Sequence, residues 1–516
     1  IFRIYMTNTS YTFSLIASMV ILGLFAGSWF YSKKSNSSTN NSWLLIKLMI
    51  YTVLAVLAGF LIMVNLPELI LFPIAGKQEA YFLRIIVIPV ISALLVIIPV
   101  TFLSGYAFPL ACTMHAQNYR EIGSSIGSIL LSNTAGSIAG PLLAAYLAIP
   151  VWGAGLSIIF FILFLLVMVF LMLRKATSVK AKGLLNITIP VAAVIIFIIL
   201  IINPQIYILP PSFSRYEKEI LAYKETVEGT YVVGKETSGN NTVLSTYVNN
   251  SAVIGSSYDA IKVVKMVGHL PFYSGLQCKN ALVVGFGIGV TTSAIASHPE
   301  VESIDCIELV AGLKDAAHYY QGLNNNIQND KRLKVKTGDG RHFLQSTDKK
   351  YDLISSDPTH PILGSGNLYT KEYFELCKAH LNQGGMVSQY MPLHKLLPAD
   401  FLGIIKTFHS VFPNSTIWLG HYHAILLGCN GPLKIDFEQW SDNISQSVTD
   451  PYFYNNPYHV AACMVLDSAQ IEKFPAGTKI KTDNQPYAEF FKLSSFDAKN
   501  LTTNLDYLNK NRCSLN

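Results

Sequence analysis

The sequence predicts two parts: a multi-pass α-helical membrane bundle and a C-terminal α/β domain with a doubly wound, mostly parallel sheet. Apolar residues make up 51% of the 516 residues and charged residues only 14%. The apolar residues crowd into the first two fifths of the chain. Beyond Pro210 short β-branched stretches appear, and beyond Pro271 strands alternate with helices around a glycine-rich loop. This order is typical of a membrane bundle joined to a parallel sheet.

About six membrane spans are expected within residues 1–205. Five segments are long, apolar and nearly free of charge. They are Tyr11–Tyr31, Leu44–Leu66, Tyr81–Leu103, Val151–Leu173 and Ile187–Ile202. The sixth, Ser124–Ile149, is rich in small residues that let helices approach closely, so we interpret it as a span inside the bundle. A re-entrant or interfacial segment stays open, because Asn133 and Pro141 suit a lipid face poorly.

The basic residues predict which side each loop faces. Lys33, Lys34 and Lys47 lie near the first loop, and four more lysines and arginines lie between Arg174 and Lys182. By the positive-inside rule these loops face the cytoplasm. If Ile187–Ile202 crosses once more, the C-terminal domain emerges on the non-cytoplasmic side. The charge bias favours this arrangement, and the opposite topology stays open.

Charge and cysteine usage exclude several kinds of partner. The net charge of +6 is small for this length, so we expect no nucleic-acid partner. The seven cysteines are scattered and never spaced as C-x-x-C, which argues against a disulfide framework or a zinc site. His421 and His423 could share one face of a strand, but with no third ligand in view we predict no metal site. No signal peptide is evident at Ile1, which leaves a truncated or processed start open.

The soluble part is expected to comprise a small β region at 206–268 and an α/β domain at 269–516. Alternating stretches at Tyr231–Val233 and Thr242–Val248 indicate antiparallel strands in the first. In the second, the pattern predicts five strands and three helices. The strands are Ala281–Val284, Ser303–Ile307, Leu333–Lys336, Tyr351–Ser355 and Gly385–Gln389, and the helices are Thr291–Ala296, Leu313–Tyr320 and Lys371–Leu381.

Three elements at successive strand ends predict a nucleoside site. The glycines of the loop Gly285, Gly287 and Gly289 let a backbone approach a ligand closely. Glu308 ends the next strand, where a carboxylate can accept both hydroxyls of a ribose. Gly338-Asp339-Gly340 closes the strand after that, and its carboxylate can accept an adenine amine. Each element alone could be an ordinary turn, but ligands bind where these strand ends meet.

These motifs resemble the spermidine synthase, or polyamine aminopropyltransferase, family. The resemblance extends over most of the chain, and it is closest to the bacterial branch in which that domain follows a membrane bundle. Its motifs are Gly105–Pro109, Asn133–Gly136, His269-Leu270-Pro271, the glycine loop, Ser297–Glu302, Glu308, Gly338–Arg341, Tyr351–Ile354, Asp357–Pro361, Leu368-Tyr369-Thr370 and Thr482–Pro486. They are more specific in the α/β half than in the membrane half.

The resemblance implies a six- or seven-stranded methyltransferase-like sheet and transfer of an aminopropyl group from decarboxylated S-adenosylmethionine to an amine. It implies that Gly285, Gly287, Gly289, Glu308, Asp339 and Gly340 hold this cosubstrate, with no tightly bound cofactor. Asp357 would deprotonate the attacking amine, and His360, Tyr369 and Gln389 would lie near the acceptor. The expected location is the bacterial inner membrane, with the lipid bilayer and a small amine as partners. A homodimer or a larger membrane complex stays open.

Two departures from the family pattern concern the amine acceptor. Ile288 stands where the family has an acid in the glycine loop, and His360 stands where it has a second acid after Asp357. Ile254 and Val263 replace a glutamine and a tyrosine in a loosely aligned region. Because a dication needs several carboxylates to offset lost hydration, we expect an acceptor other than, or broader than, putrescine. Two alternatives are a methyltransferase that uses intact S-adenosylmethionine and a non-catalytic membrane scaffold or complex subunit.

Overall fold

A computed structural model describes the positions of most of the chain. The described residues are 10–34, 41–66, 82–115, 122–175, 191, 193–199, 201, 206–210, 213, 218–238, 241–249, 251–358, 361, 364–446, 450, 456–475, 477–487, 489–490 and 492–513. The chain divides into two compact units. The first comprises residues 1–215 and 223–230, and the second comprises residues 216–222 and 231–516.

Long apolar helices form the first unit. They are α1 (Ser10–Lys34), α2 (Asn41–Leu66), α3 (Ile88–His115), α4 (Ile122–Leu143) and α5 (Ile149–Lys175), with π-helical segments at Leu83–Val87 and Ala144–Ala148. In the described ranges, four helical runs are long and apolar enough to cross a membrane. They are Tyr11–Lys34, Asn41–Asn65, Ile88–His115 and Ile126–Leu173.

Two of the six expected spans, Ser124–Ile149 and Val151–Leu173, lie in one continuous helical run that has a kink inside it. The run Ile126–Leu173 contains 48 residues, about 72 Å at the usual rise per residue, which is about twice the thickness of a bilayer core. Pro150 does not end the helix; the backbone breaks at Gly153, where φ is +79°. Only glycine adopts this conformation readily. The Glu225 carboxylate accepts a hydrogen bond from the Ala154 N–H after the break, at 2.7 Å. The segment expected at Ile187–Ile202 lies partly outside the described residues, and within it residues 193–199 are helical.

A four-stranded sheet occupies the region where a small β segment was expected. Its order is β1 (Glu219–Glu225), β2 (Thr230–Ser238), β3 (Asn241–Val248) and β4 (Ser251–Gly255). The pairs β2–β3 and β3–β4 are antiparallel. The next helix, α6 (Tyr258–Tyr273), crosses the expected boundary at residue 269, and every residue from Val263 to its end is buried.

The larger sheet has eight strands in the order β12-β10-β11-β9-β8-β5-β6-β7. Its strands are β5 (Asn280–Val284), β6 (Ser303–Glu308), β7 (Leu333–Thr337), β8 (Tyr351–Ser356), β9 (Leu381–Pro392), β10 (Ser415–Gly420), β11 (His423–Cys429) and β12 (Met464–Leu466). The run from β7 to β9 is parallel, as expected. The strands β11, β10 and β12 pair antiparallel at the other side. The sheet is therefore mixed and wider than the six or seven strands that the resemblance implied.

Helices connect these strands. They are α7 (Val290–Ala296), α8 (Leu313–Ala316), α9 (Gln321–Asn324), α10 (Gly340–Ser346), α11 (Lys371–Ala379), α12 (Pro398–Val411), α13 (Phe437–Gln446), α14 (Pro457–Ala461), α15 (Ser468–Glu472) and α16 (Lys499–Lys510). Turns of 3₁₀-helix lie at Ala317–Tyr320, Ile327–Asn329, Gly366–Tyr369 and Leu493–Phe496.

The sheet lies between two apolar cores. Along β5, Ala281 and Val283 belong to one core, whereas Leu282 and Val284 belong to the other. Because side chains alternate between the two faces of a strand, a strand covered on both sides reads as a continuous apolar run. This burial holds the strands rigidly and fixes the positions of the loops at their ends.

Candidate functional site

The carboxyl ends of the parallel strands meet at one edge of the larger sheet. The glycine loop follows β5, Glu308 ends β6, Asp339 follows β7 and Asp357 follows β8. Ligands of open α/β sheets bind at this edge. The structure therefore brings together the three elements that the sequence singled out for a nucleoside and the aspartate singled out as a base.

The glycine loop needs its glycines for two physical reasons. Gly285, Gly287 and Gly289 all have positive φ, at +94°, +54° and +80°. A Cβ on Gly285 would lie 3.1 Å from the carbonyl oxygen of Asp357, and one on Gly289 would lie 2.6 Å from Cγ2 of Ile327. Side chains at these positions would strain the backbone and push the loop away from its neighbours.

Glu308 holds this loop by its carboxylate. Its Oε2 accepts hydrogen bonds from the backbone N–H groups of Phe286 and Gly287, at 2.8 and 3.1 Å, and its Oε1 accepts one from Val310 at 2.8 Å. The side chain is buried, and desolvation raises the pKa of Glu308 although these N–H donors oppose the rise. Oε2 already accepts two hydrogen bonds, whereas Oε1 accepts one, so Oε1 can hold the loop and still accept a ligand hydroxyl.

Asp339 begins α10 as its N-cap. Its Oδ1 accepts a hydrogen bond from the His342 N–H at 2.8 Å, which leaves Oδ2 for another donor. Asp339 is exposed, so a ligand can reach its free oxygen. Gly340 is buried, and a Cβ there would lie 2.5 Å from Cγ1 of Val284, so only glycine lets α10 pack against β5.

Asp357 lies directly beside the glycine loop. Its N–H donates to the Val284 carbonyl oxygen at 3.1 Å, and its Oδ2 accepts a hydrogen bond from the Thr291 hydroxyl at 2.9 Å. Desolvation raises the pKa of the Asp357 carboxyl to about 6, and the Thr291 hydrogen bond partly opposes this rise. A carboxyl that titrates near neutral pH can both accept and release a proton, which suits a general base.

Tyr369 and Gln389 lie near Asp357 but differ in what they offer a ligand. Tyr369 is fully buried, and its hydroxyl donates to the Tyr390 carbonyl oxygen at 2.9 Å. Gln389 pairs in register with Ser356, the residue before Asp357. Its Nε2 donates to the Tyr390 carbonyl oxygen at 3.3 Å. Its Oε1 is buried and has no hydrogen-bond partner among the described residues. That oxygen can accept a hydrogen bond from an amine, whereas Tyr369 serves mainly as a buried wall.

A pair of histidines lies at the same edge, where β9 ends and the antiparallel β11 begins. The Tyr390 hydroxyl and Nδ1 of His423 are 2.7 Å apart, and the rings of His394 and His423 are 5.6 Å apart. Burial lowers the pKa of His394 and of His423 to about 4, so both rings are neutral at pH 7. The expectation that His421 shares a strand face with His423 is wrong. His421 lies in the turn before β11 with φ at +57°.

The four positions that depart from the family pattern are either buried in the apolar core or not described in full. His360 lies outside the described residues, and so does the side chain of Ile254. Ile288 and Val263, the other positions that depart from the family pattern, are buried in the apolar core. In the part of the chain that the structure describes, no group of three histidine, cysteine, aspartate or glutamate side chains could hold a metal ion.

Sequence reasoning missed Thr291, Tyr390 and His394 as neighbours of the site. Thr291 is separated from Asp357 by 66 residues, and nothing in its sequence context marks it except its place at the start of the helix after the glycine loop. Tyr390 could have been found, because it follows Gln389 near the end of a strand that carries an expected site residue.

Comparisons with known proteins point to one family. Residues 261–419 match the profile of the spermine/spermidine synthase domain. The polyamine aminopropyltransferase of Buchnera aphidicola subsp. Schizaphis graminum is 31% identical over 210 residues, which are 38% of this chain and 73% of that protein. The polyamine aminopropyltransferase of Serratia proteamaculans is 31% identical over 181 residues, 34% of this chain and 62% of that protein. The spermidine synthase of Dictyostelium discoideum is 27% identical over 259 residues, 49% of this chain and 89% of that protein.

Solved spermidine synthases are also similar to this chain. The enzyme of Thermotoga maritima shares 18% identity and a TM-score of 0.36, over 55% of this chain and 88% of that one. The matches lie in the α/β half, where the sheet edge carries the glycine loop and the acidic residues. This chain belongs to the spermine/spermidine synthase family, a family of transferases.

Proposed function

We propose that the protein is a membrane-bound aminopropyltransferase that transfers an aminopropyl group from decarboxylated S-adenosylmethionine to an amine. The observation that carries the proposal is the position of Asp357, a carboxyl with a pKa near 6, against the glycine loop that Glu308 holds. A nucleoside at this loop would bring its sulfonium close to a base. Relatives that align with this chain over much of their own length are named polyamine aminopropyltransferase or spermidine synthase.

The reaction needs a neutral amine and a route for its proton. The amine nitrogen forms a bond to the carbon beside the sulfonium, and the carbon–sulfur bond breaks. Sulfur keeps the electron pair, and 5′-methylthioadenosine leaves as a neutral thioether. The proton lost by the amine goes to Asp357, whose Oδ2 is occupied by Thr291 and whose Oδ1 is available. Positioning and proton removal of this kind typically contribute about 10² to 10⁴ in rate.

The surroundings of Asp357 support an acceptor other than, or broader than, putrescine. Among the described residues, four polar groups at the ends of β9 and β11 are uncharged: the Gln389 amide, the Tyr390 hydroxyl, and the neutral rings of His394 and His423. A dication buried here would need carboxylates to offset its lost hydration. The charge of Asp259 acts to raise the pKa of His423. The Asp259 side chain is exposed, however, and its carboxylate lies 3.7 Å from Nε2 of His421. An amine with an uncharged far end fits these groups better.

Attachment to the lipid bilayer is supported by the apolar helices of the first unit. Four runs of 24 to 48 residues have mean hydropathies from 1.9 to 3.3. Many of their large apolar side chains are exposed, such as Phe25, Leu131 and Phe164. Large exposed apolar surfaces of this extent indicate contact with lipid. The bacterial inner membrane is the proposed location.

The experiment uses the full chain in lipid nanodiscs with decarboxylated or intact S-adenosylmethionine and a panel of monoamines and diamines. Mass spectrometry then identifies any modified amine. We expect aminopropyl transfer with the decarboxylated donor, and a higher kcat/KM for monoamines than for putrescine. His360→Asp should shift the preference towards diamines. Methyl transfer from the intact donor would replace the proposal with a methyltransferase. No transfer from either donor to any amine would leave the scaffold alternative.

A further inference from the structure

The guanidinium of Arg341 connects three segments at the active edge of the sheet. Arg341 is the second residue of α10 and follows Asp339 and Gly340. Its Nη1 donates to the Asn367 carbonyl oxygen at 2.9 Å and to the Thr370 hydroxyl at 3.3 Å. Both terminal nitrogens also donate to Asp483, with Nη1 at 2.8 Å from Oδ1. The Arg341 side chain is only 13% exposed, whereas that of Asp483 is 40% exposed.

The first two partners hold the wall of the proposed acceptor site. Tyr369 lies between Asn367 and Thr370 in the 3₁₀ turn Gly366–Tyr369 and reaches the Tyr390 carbonyl oxygen. Thr370 begins α11 as its N-cap and accepts a hydrogen bond from the Tyr373 N–H. Because Arg341 binds on both sides of Tyr369, the position of that ring depends on the position of α10.

The third partner brings in the C-terminal part of the chain. The N–H of Asp483 donates to the Glu372 carboxylate at 3.0 Å, and the Lys371 N–H donates to the Lys481 carbonyl oxygen at 2.9 Å. Residues 481–483 therefore lie against the start of α11, and Arg341 closes the link from the other side. The guanidinium beside Asp483 lowers the pKa of that carboxyl, so the pair stays ionised at neutral pH.

We infer that Arg341 is a positioning residue that couples nucleoside binding at Asp339 to the order of the acceptor wall at residues 366–373. This inference rests on the proposed function, since it assigns Asp339 to the donor and Tyr369 to the acceptor. A ligand that engages Asp339 fixes the first turn of α10. The same turn carries Arg341, and its planar guanidinium restrains Asn367, Thr370 and Asp483 through hydrogen bonds. By linkage, an amine that orders the wall improves nucleoside binding by the same factor.

Hydrogen exchange of the full chain tests the coupling with 5′-methylthioadenosine as the only probe. Exchange of the amides in 366–373 is measured with and without saturating nucleoside, whose binding is established separately by calorimetry. In the parent, the nucleoside should slow exchange about fivefold or more, the lower end of ordinary coupling factors. Arg341→Lys loses the bidentate contact to Asp483. In this variant the ratio of the exchange rate without nucleoside to the rate with nucleoside should fall to about one at equal nucleoside occupancy.

Arg332→Lys is the matched control. Arg332 forms a comparable network with Asp330 and with the carbonyl oxygens of Ala296 and Val301, but it precedes β7 and lies at the opposite edge of the sheet. This variant should keep the parent ratio. A purely structural role for Arg341 would speed exchange equally with and without nucleoside, and the ratio would survive.

The outcomes separate this inference from the proposed function. If the parent binds the nucleoside but its ratio is about one, the inference is wrong and the nucleoside site stands. The same holds if Arg341→Lys keeps the parent ratio, or if Arg332→Lys loses it equally. Asp483→Asn, which leaves the bonds from Arg341 to Asn367 and Thr370, should give an intermediate ratio if Arg341→Lys proves too unstable to study. If the parent binds no nucleoside, the proposed function falls first.

Discussion

Replacing Thr291 by valine should move the acid limb of the pH–rate profile. Thr291 donates to Oδ2 of Asp357 at 2.9 Å, and this bond stabilises the ionised carboxylate. A hydrogen bond to a charged group contributes roughly 1.5 to 3 kcal/mol, and one pKa unit corresponds to about 1.4 kcal/mol. Valine should therefore raise the pKa of Asp357 from about 6 to between about 7 and 8.

The profile of kcat/KM against pH reports this pKa, because it reflects ionisations of the free enzyme. At pH 6 the variant should be about five- to fiftyfold below the parent, and near pH 9 the two should converge. Titration of the amine itself affects both proteins equally, so the comparison isolates the carboxyl. Thr292→Val is the matched control, because the neighbouring Thr292 hydroxyl is also buried but does not hydrogen-bond to Asp357 in the described structure. An acid limb that stays in place in Thr291→Val, or that moves equally in the control, would refute the reasoning.

Three further predictions concern the ligand, the stability and the topology. Asp339→Asn keeps an N-cap for α10 but removes the charged hydrogen-bond acceptor. Calorimetry should therefore show that 5′-methylthioadenosine binds about ten- to a hundredfold more weakly. Equal affinity would contradict the site. Burial lowers the pKa of Lys481 from 10.5 to about 8, and its Nζ has no hydrogen-bond partner among the described residues. Between pH 8 and 10.5 the unfolded chain therefore binds more protons than the folded chain, and the free energy of unfolding rises with pH across that window. Lys481→Met should raise the free energy of unfolding by up to about 3 kcal/mol at pH 7. The matching gain in Tm should shrink towards pH 10.5. An unchanged Tm at pH 7 would count against it. Cysteines at Ser178 and, separately, Ser238 can be labelled in intact cells with an impermeant maleimide; the charge rule predicts labelling of Ser238→Cys only, and labelling of Ser178→Cys alone would reverse the topology.

The parallel half of the larger sheet could be predicted because its strands carry strong local signals. Ala281–Val284 is a continuous apolar run before a glycine loop, and the observed strand differs from it by one residue. The same regularity predicted where the glycine loop, Glu308 and Asp357 would meet, since the carboxyl ends of parallel strands share one edge. Local pattern was sufficient wherever one strand and its following loop carried the information.

The antiparallel side and the membrane spans depended on information that is not local. The pairing of β10 with β12 joins residues almost 50 positions apart, and no motif marks it. The expected spans ended at Ile149 and began again at Val151, but the helix continues through Pro150, and its break occurs at the positive φ of Gly153. The sequence shows how long an apolar segment is, but it does not show where the helix in a long apolar segment kinks.

The chemistry of the site was only partly visible in the sequence. Asp357 was identified by its motif, but the pKa near 6 comes from burial and from Thr291, both of which depend on the folded chain. The same is true of the neutral state of His394 and His423, which results from desolvation by residues distant in sequence. Residue type and spacing indicated which groups could react, and the tertiary environment sets their charge.

The most direct test of the account is a single-turnover measurement on Asp357→Asn in the full chain. The parent and the variant are loaded with saturating decarboxylated S-adenosylmethionine and mixed with the amine that the parent uses best, and formation of 5′-methylthioadenosine is followed in time. Asparagine keeps the size and polarity of the side chain but removes the base, so nucleoside affinity should stay within about threefold of the parent. The account predicts a transfer rate about 10² to 10⁴ lower in the variant. A variant that transfers the aminopropyl group as fast as the parent would contradict it.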